Sequence, residues 1–295
     1  MEYRLISNYK HISSYKESFN DLAKMVFGID FQKWYEKGCW NDHYVCYSYL
    51  HNEQVIANAS INKMTVVWNG KEYNAIQIGT VMTHPDYRNQ GLSGKLMNHI
   101  LEKYENETDF IYLFANDTVL DFYPKFGFEK VQESSFSLAI SDLGHQQVKG
   151  KSLRQLNIEN QDDIQLMKEF ARRRIPVSSN LGVIDNEHLL MFYFIQVFND
   201  SIFYIEEEEV IVIVRREDDQ IHVFDIINKK KIELNTILNN LVSEETKLIH
   251  FYFTPPEIDG KIHIDFISES DDTLFVRPIL KKGQAHFLFP ITSHA

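Results

Sequence analysis

Residues 81–97 read VMTHPDYRNQGLSGKLM. An apolar, strand-like run ends at Thr83. Pro85 follows, then the pair Tyr87-Arg88, then the lone glycine Gly91, and beyond it apolar residues fall at helical spacing. The first N–H groups of a helix have no partner inside it and carry partial positive charge. Phosphates are held at such ends. Gly91 has no Cβ, so the main chain can approach a ligand closely; Ser93 and Gly94 are small, and Arg88 adds a forked cation. The junction therefore reads as a pyrophosphate site.

Two common pyrophosphate signatures are excluded. GLSGKL has the wrong spacing for a P-loop and no Ser or Thr after Lys95, and no GxGxxG fingerprint with a downstream acid is present. A second constellation follows instead. The strand-like FIYLFA at 110–115 leads into NDTVLDFYPKFG at 116–127, which is expected to be a capped helix ending at Gly127.

Together these stretches resemble the GNAT-type N-acetyltransferases. Motif A of that family is a strand, then Pro-x-Tyr-Arg, then [RQ]-x-x-G-x-[GA]; here the turn is Arg88-Asn89-Gln90-Gly91-Leu92-Ser93, with Ser93 departing from the Gly/Ala consensus. The family's later asparagine, its tyrosine seven residues on and its Gly-Phe pair match Asn116, Tyr123 and Gly127-Phe128. The resemblance covers about residues 1–140. It implies a mixed, mostly antiparallel sheet flanked by helices, an α/β (α+β) acyl-CoA N-acyltransferase fold. It implies that Val81, Met82 and Thr83 pair their backbone with the pantetheine arm of acetyl-CoA. Arg88, Asn89, Gln90, Gly91, Leu92, Ser93 and Gly94 would then hold the pyrophosphate. Asn116 would bind near the thioester, and Tyr123 would protonate the departing thiolate. A neutral primary amine would attack the thioester through a tetrahedral intermediate, with a backbone N–H near Met82 stabilising the oxyanion. On composition alone Tyr123 would be a core tyrosine; the spacing from Asn116 to Gly127 favours the acid. Phe27, Asp30, Phe31, Trp34 and Trp40 fall where the family's substrate-facing helices lie. They form either an aromatic, acidic acceptor pocket or ordinary helix packing. The general base stays open among Gln77 (through water), His84, Glu72, Asp42, His43 and a carboxylate at Ala295.

The flanking pattern agrees with such a fold. YRLIS at 3–7 is strand-like, and 11–28 reads as a helix with Leu22, Met25 and Val26 on one face and Gly28 as its stop. Alternation begins at Tyr44, Asn69-Gly70 signals a hairpin, and Leu92, Leu96, Met97, Ile100, Leu101 and Tyr104 trace one helical face. FEKVQESSFSLAI at 128–140 returns to strand. The glycine-bearing polar stretch 141–152 suggests a boundary, giving domains 1–142 and 151–295.

The second half partly repeats the order of elements but not motif A. Its helix and strands at 161–251 lack Pro-x-Tyr-Arg and the glycine, and TPPEIDG stands where the Asn–Tyr segment stood. It is expected to be a degenerate GNAT-like domain without a coenzyme site, as in tandem proteins of the enhanced-intracellular-survival type, or another α+β fold. It is expected to pack on the first domain and wall the acceptor site.

Composition sets outer limits. The 295 residues carry a net charge of −12, which argues against nucleic acid and is compatible with a cationic substrate. The two cysteines, Cys39 and Cys46, lack metal spacing, so no metal is expected and a reducing compartment is the simplest setting. No apolar stretch follows the N-terminal basic residues, and the apolar run at 189–198 is about half a bilayer span. The expectation is a soluble, cytoplasmic, acetyl-CoA-dependent N-acetyltransferase with a small-molecule or peptide amine acceptor and no membrane partner; a homo-oligomer is compatible with it. The rival is an acyl-CoA-binding sensor without turnover.

Overall fold

Two mixed sheets carry the chain, and each draws strands from both halves. The structure, a computed structural model, describes residues 3–143, 153–257, 261–268, 271–278 and 285–295. The first half runs β1 (Arg4–Ser7), α1 (Ser13–Phe27), α2 (Gln32–Glu36), β2 (Tyr44–His51), β3 (Gln54–Trp68), β4 (Lys71–Thr83), α3 (Leu92–Tyr104), β5 (Phe110–Asn116), β6 (Glu129–Val131) and β7 (Ser134–Ala139). The second continues with β8 (Arg154–Gln155), α4 (Gln161–Arg173), β9 (Leu181–Ile184), α5 (Glu187–Phe192), β10 (Ile202–Ile205), β11 (Val210–Glu217), β12 (Gln220–Asn228), α6 (Leu234–Leu241), β13 (Leu248–Phe251), β14 (Ile262–Phe266) and β15 (Asp272–Arg277). This is the mixed, mostly antiparallel α/β architecture expected.

The first sheet has the order β1-β2-β3-β4-β5-β15-β6, with β9 paired to β3; the second is β14-β7-β13-β12-β11-β10-β8. The repeat of element order is built into both. β2, β3 and β4 are antiparallel neighbours, α3 crosses over, and β5 lies parallel to β4. Likewise β10, β11 and β12 are antiparallel, α6 crosses over, and β13 lies parallel to β12. Glu206–Glu208 and the left-handed Glu209 make the β10–β11 connection.

The halves then exchange strands. β15 fills the place beside β5, and β7 fills the equivalent place beside β13. A division at 142 and 151 therefore does not separate the sheets, because each parallel strand has its outer edge covered from the other side of that division. Most of the boundary stretch itself, 144–152, lies outside the described residues.

Two local expectations are corrected. Met25 is 56% exposed, and α1 buries Phe19, Leu22 and Ala23 instead. Residues 116–127 form two short 3-10 turns, Asp117–Val119 and Tyr123–Phe126, and no α-helix. Pro124 has no N–H to donate and so interrupts an α-helical ladder. The ends of that segment are as expected: the Asn116 side chain accepts from the Thr118 N–H, and Gly127 closes it at φ 78°.

Candidate functional site

β3 and β4 pair in register until Ser60 meets Gly79, and resume where Asn58 meets Met82. Thr80 and Val81 therefore face the single residue Ala59, which is a β-bulge. Thr80 takes φ 50° there. The Asn58 amide donates to the Thr80 carbonyl at 2.9 Å, and the Tyr44 and Thr80 hydroxyls lie 3.1 Å apart. On the other edge β4 pairs with β5 only over Ala75–Gln77. Past Gln77 the two parallel strands part, leaving one backbone edge of β4 open from Ile78 to Thr83.

A cavity of about 520 Å³ occupies this wedge. Ile78 to Val81 line one side, Phe114 to Asn116 the other, and Ser93 the floor. Tyr123 lines it as well; the side chain is 6% exposed, and burial pushes its phenol up to about 12. Phe275 of β15 packs 5.9 Å from the Tyr123 ring, centre to centre.

Motif A opens beside this wedge. Gly91 is the N-cap of α3 at φ 74°, with no side-chain cap, and Asn89 is also left-handed at φ 62°. The Thr83 and Ser93 hydroxyls, 2.8 Å apart, fix the start of α3 to the end of β4. A Cβ on Gly94 would only touch Phe126, at 3.6 Å. Arg88 is exposed, with Nε 3.5 Å from the Thr83 carbonyl, and Gln90 accepts from the Tyr3 hydroxyl. Leu92 and Met82 turn their side chains into the core, so only their main chain is available to a ligand.

The far end of the cavity is aromatic. Phe27, Phe31 and Trp34 line it, and the Trp34 indole donates to the His188 carbonyl at 2.8 Å. Asp30 does not join them. Its carboxylate accepts from the Asn20 amide and the Gln32 N–H and pairs with Lys24, which hold it below the ordinary carboxylate range. Trp40 packs in the core against Phe19 and Tyr44. Among the base candidates only Ala295 lines the cavity. Gln77 is fully buried, and His84, Glu72, Asp42 and His43 lie elsewhere.

Apart from Ala295, sequence reasoning named no residue of the second half at this cavity. His188, Leu189, Phe192, Tyr193, Asp272 and His294 all reach the cavity. Burial drives His188 and His294 down to about 3, so both imidazoles are neutral. Asp272 is the one acidic side chain lining the cavity among the described residues. Burial, then Asp271 and Asp117, raise it. Both cysteines are buried and free; burial pushes Cys39 to about 11 and Cys46 to about 12, which makes neither a thiolate nucleophile. No group of metal-binding side chains occurs among the described residues, and no described helix is long and apolar enough to cross a membrane.

Residues 10–131 match the model of the acetyltransferase (GNAT) domain. No curated protein matches the chain. Among solved structures, a probable N-acyltransferase of Enterococcus faecalis V583 is 17% identical over 94% of this chain and 72% of its own, with a TM-score of 0.60. Eis1 of Mycobacterium abscessus is 12% identical over 92% of this chain and 72% of its own, with a TM-score of 0.61. A GCN5-related N-acetyltransferase of Kribbella flavida is 17% identical over 94% and 72%, with a TM-score of 0.55. At these identities the likeness is one of fold, and it spans both sheets.

Proposed function

We propose, on the premise that residues 10–131 are a domain of the GNAT acetyltransferase family, that the chain transfers an acetyl group from acetyl-CoA to a primary amine. The observation that carries this is the wedge between β4 and β5, where the Thr80–Val81 bulge, Ser93, Asn116 and Tyr123 meet on one cavity.

The residues present fit the coenzyme. The open edge of β4 offers main-chain groups to the pantetheine amides. At the start of α3, the left-handed Asn89 and Gly91 leave successive N–H groups uncapped, and such concavities take anions. Arg88 adds charge beside them. When bound, acetyl-CoA supplies an activated acyl carbon.

The chain's own groups do the rest. A main-chain N–H at the bulge, near Met82, faces charge developing on the acyl oxygen. The amine nitrogen bonds to the acyl carbon to give a tetrahedral intermediate; as it collapses the carbon–sulfur bond breaks, Tyr123 gives its proton to the sulfur, and the proton shed by the nitrogen restores the phenol. A phenol held well above neutral is fully protonated and ready to donate. Asp272 meets the incoming ammonium, whose proton leaves towards solvent at the mouth.

The second sheet supports one coenzyme per chain. There the corresponding wedge is filled by the chain itself: Ile291 donates to the Tyr252 carbonyl, and Thr292 donates to Asp225 on β12. A sensor without turnover is the second reading, favoured by the neutral state of both cavity histidines. Acetyl-CoA turnover against an amine panel, with calorimetry using CoA, tests both. Binding at one site per chain with acetylated product supports the enzyme; binding without product in any amine supports the sensor.

A further inference from the structure

Thr80 is β-branched and takes φ 50°. Such residues rarely adopt this left-handed conformation, and they keep it only where their surroundings impose it, often at functional sites. Two buried side chains impose it here. The Asn58 amide donates to the Thr80 carbonyl at 2.9 Å, and the Tyr44 hydroxyl lies 3.1 Å from that of Thr80.

Asn58 is itself held by a chain of hydrogen bonds that can run in one direction only. A carbonyl accepts and never donates, so the amide nitrogen of Asn58 faces Thr80 and its oxygen faces Ser48. The Ser48 hydroxyl therefore donates to Asn58 Oδ1, at 2.8 Å, and the Tyr9 hydroxyl, 2.6 Å from Ser48, donates in turn. The second amide hydrogen goes to Ser60 Oγ at 2.9 Å, and Ser60 donates to Cys46 Sγ at 3.4 Å. Ser48, Asn58 and Ser60 are fully buried, and Tyr9 and Cys46 nearly so. A buried polar network whose members are satisfied is rigid and specifies one arrangement.

What it specifies here is the plane of the Thr80–Val81 peptide. A peptide bond is planar and trans, so the Val81 N–H points opposite to the Thr80 C=O. That carbonyl is turned towards Asn58 on β3. The Val81 N–H is therefore turned to the other edge of β4, where β5 has parted from it and where Thr80 and Val81 line the cavity. The alternation of the strand agrees. The His84 N–H donates to the Ile56 carbonyl on β3 at 2.8 Å, and Met82, two residues earlier, is paired with Asn58 on that same edge. Val81 falls between and faces away.

We infer that Asn58 is a positioning residue for the acyl transfer. With Ser48 and Tyr9 behind it, it sets the Thr80–Val81 peptide so that the Val81 N–H is aimed at the acyl oxygen of acetyl-CoA in the wedge. Asn58 does not line the cavity and acts through Thr80. This rests on the acetyltransferase reading above.

The test is steady-state acetylation by the full chain, with acetyl-CoA and the amine of the panel that it turns over fastest. An N–H swung away from the developing charge forfeits what an oxyanion donor is worth, so Asn58→Ala should lower kcat about 10²-fold. CoA, which carries no acyl oxygen, should bind the variant within about threefold of the parent in calorimetry. Asn58→Asp keeps the shape of the side chain and serves if the alanine variant does not fold. Its neutral carboxyl can still donate to the Thr80 carbonyl, and its carboxylate cannot. Burial raises such a carboxyl, so the ratio of its kcat to that of the parent should fall about tenfold from pH 6 to pH 9. Parental kcat in a folded Asn58→Ala, a CoA affinity that falls as far as kcat, or a pH-independent kcat ratio in Asn58→Asp would each overturn the inference, by making the network a support of the fold or of the coenzyme seat alone. Any of these in an active parent leaves the acetyltransferase reading intact. A parent that acetylates no amine would overturn that reading, and this inference with it.

Discussion

A methyl group placed on Gly79 would lie 2.8 Å from the Cβ of Ala295 and 2.9 Å from its carbonyl carbon and oxygen. The strand that forms one side of the cavity wedge is thus in direct contact with the last described residue of the second half. Only a glycine leaves room for it. Gly79→Ala must move one backbone or the other, since Cβ contacts under 3.0 Å essentially do not occur. We expect acceptor kcat/KM to fall about tenfold or more, at a stability cost of about 1–3 kcal/mol for overpacking. Kinetics and thermal denaturation check this; unchanged turnover would mean that the Ala295 end plays no part.

Gly91→Asp should abolish CoA binding in calorimetry. A Cβ at Gly91 meets nothing within 4 Å, so the loss comes from the left-handed φ of 74° and from a carboxylate facing the pyrophosphate, not from a clash. Gly91→Ala carries the strain without the charge and should bind CoA more weakly than the parent but measurably. Parental affinity in Gly91→Asp would remove the coenzyme from this junction.

Tyr123→Phe should lower kcat by about 10²–10⁴-fold, the usual worth of a positioned acid. CoA affinity should hold, because the lost interaction belongs to the transition state. With the phenol pushed up to about 12, activity in the parent should show no loss from Tyr123 ionisation across the neutral range. A pH–rate profile and single-turnover measurements decide it.

Thr292→Val should separate the placement of the C-terminal segment from the stability of the second sheet. Asp225 would keep its two-pronged ion pair with Arg174, at 3.0 and 3.1 Å, and its bond from the Ile226 N–H. Only the tie to Thr292 goes, at about 1 kcal/mol. Acceptor turnover is expected to drop while the melting temperature barely moves. Asp225→Ala, by contrast, strands a buried Arg174 and should cost about 3–5 kcal/mol.

Glu133 sets a pH dependence of stability. It is 9% exposed, with one oxygen accepting from the Phe289 N–H at 2.8 Å, and burial pushes its carboxyl from 4.5 to about 7. Between those values the folded chain holds a proton that the unfolded chain has released, so this group makes stability fall as pH rises from about 4.5 to about 7. Glu133→Gln removes the dependence. Its stability relative to the parent should improve across that window by at most about 3 kcal/mol and level off above it. Denaturant titrations of both proteins at pH 4, 6 and 8 measure the difference; a constant offset would place the Glu133 titration elsewhere.

Much of the first half was legible from local pattern. The strand before Thr83, the helix after Gly91 and the turn closed by Gly127 depend on residues close in sequence, and their periodicity and glycine positions were enough to place them. Asp30 was misplaced because an aspartate two residues before a helix start serves equally well as a cap or a ligand, and here Gln32, Asn20 and Lys24 claim it.

By itself the sequence determined most of the segments that become strands and helices, and where the glycine turn before α3 stands, because side-chain periodicity and backbone preference act over a few residues. Only the tertiary structure decided which sheet each strand joins. β7 alternates Ser134, Phe136 and Leu138 inward whichever partner it has, and the N–H and C=O groups of any strand edge are alike. The exchange of β7 and β15, and with it the arrival of Asp272, Tyr193 and His294 at a cavity begun by Thr80 and Asn116, was settled by long-range burial that no short stretch of the sequence encodes.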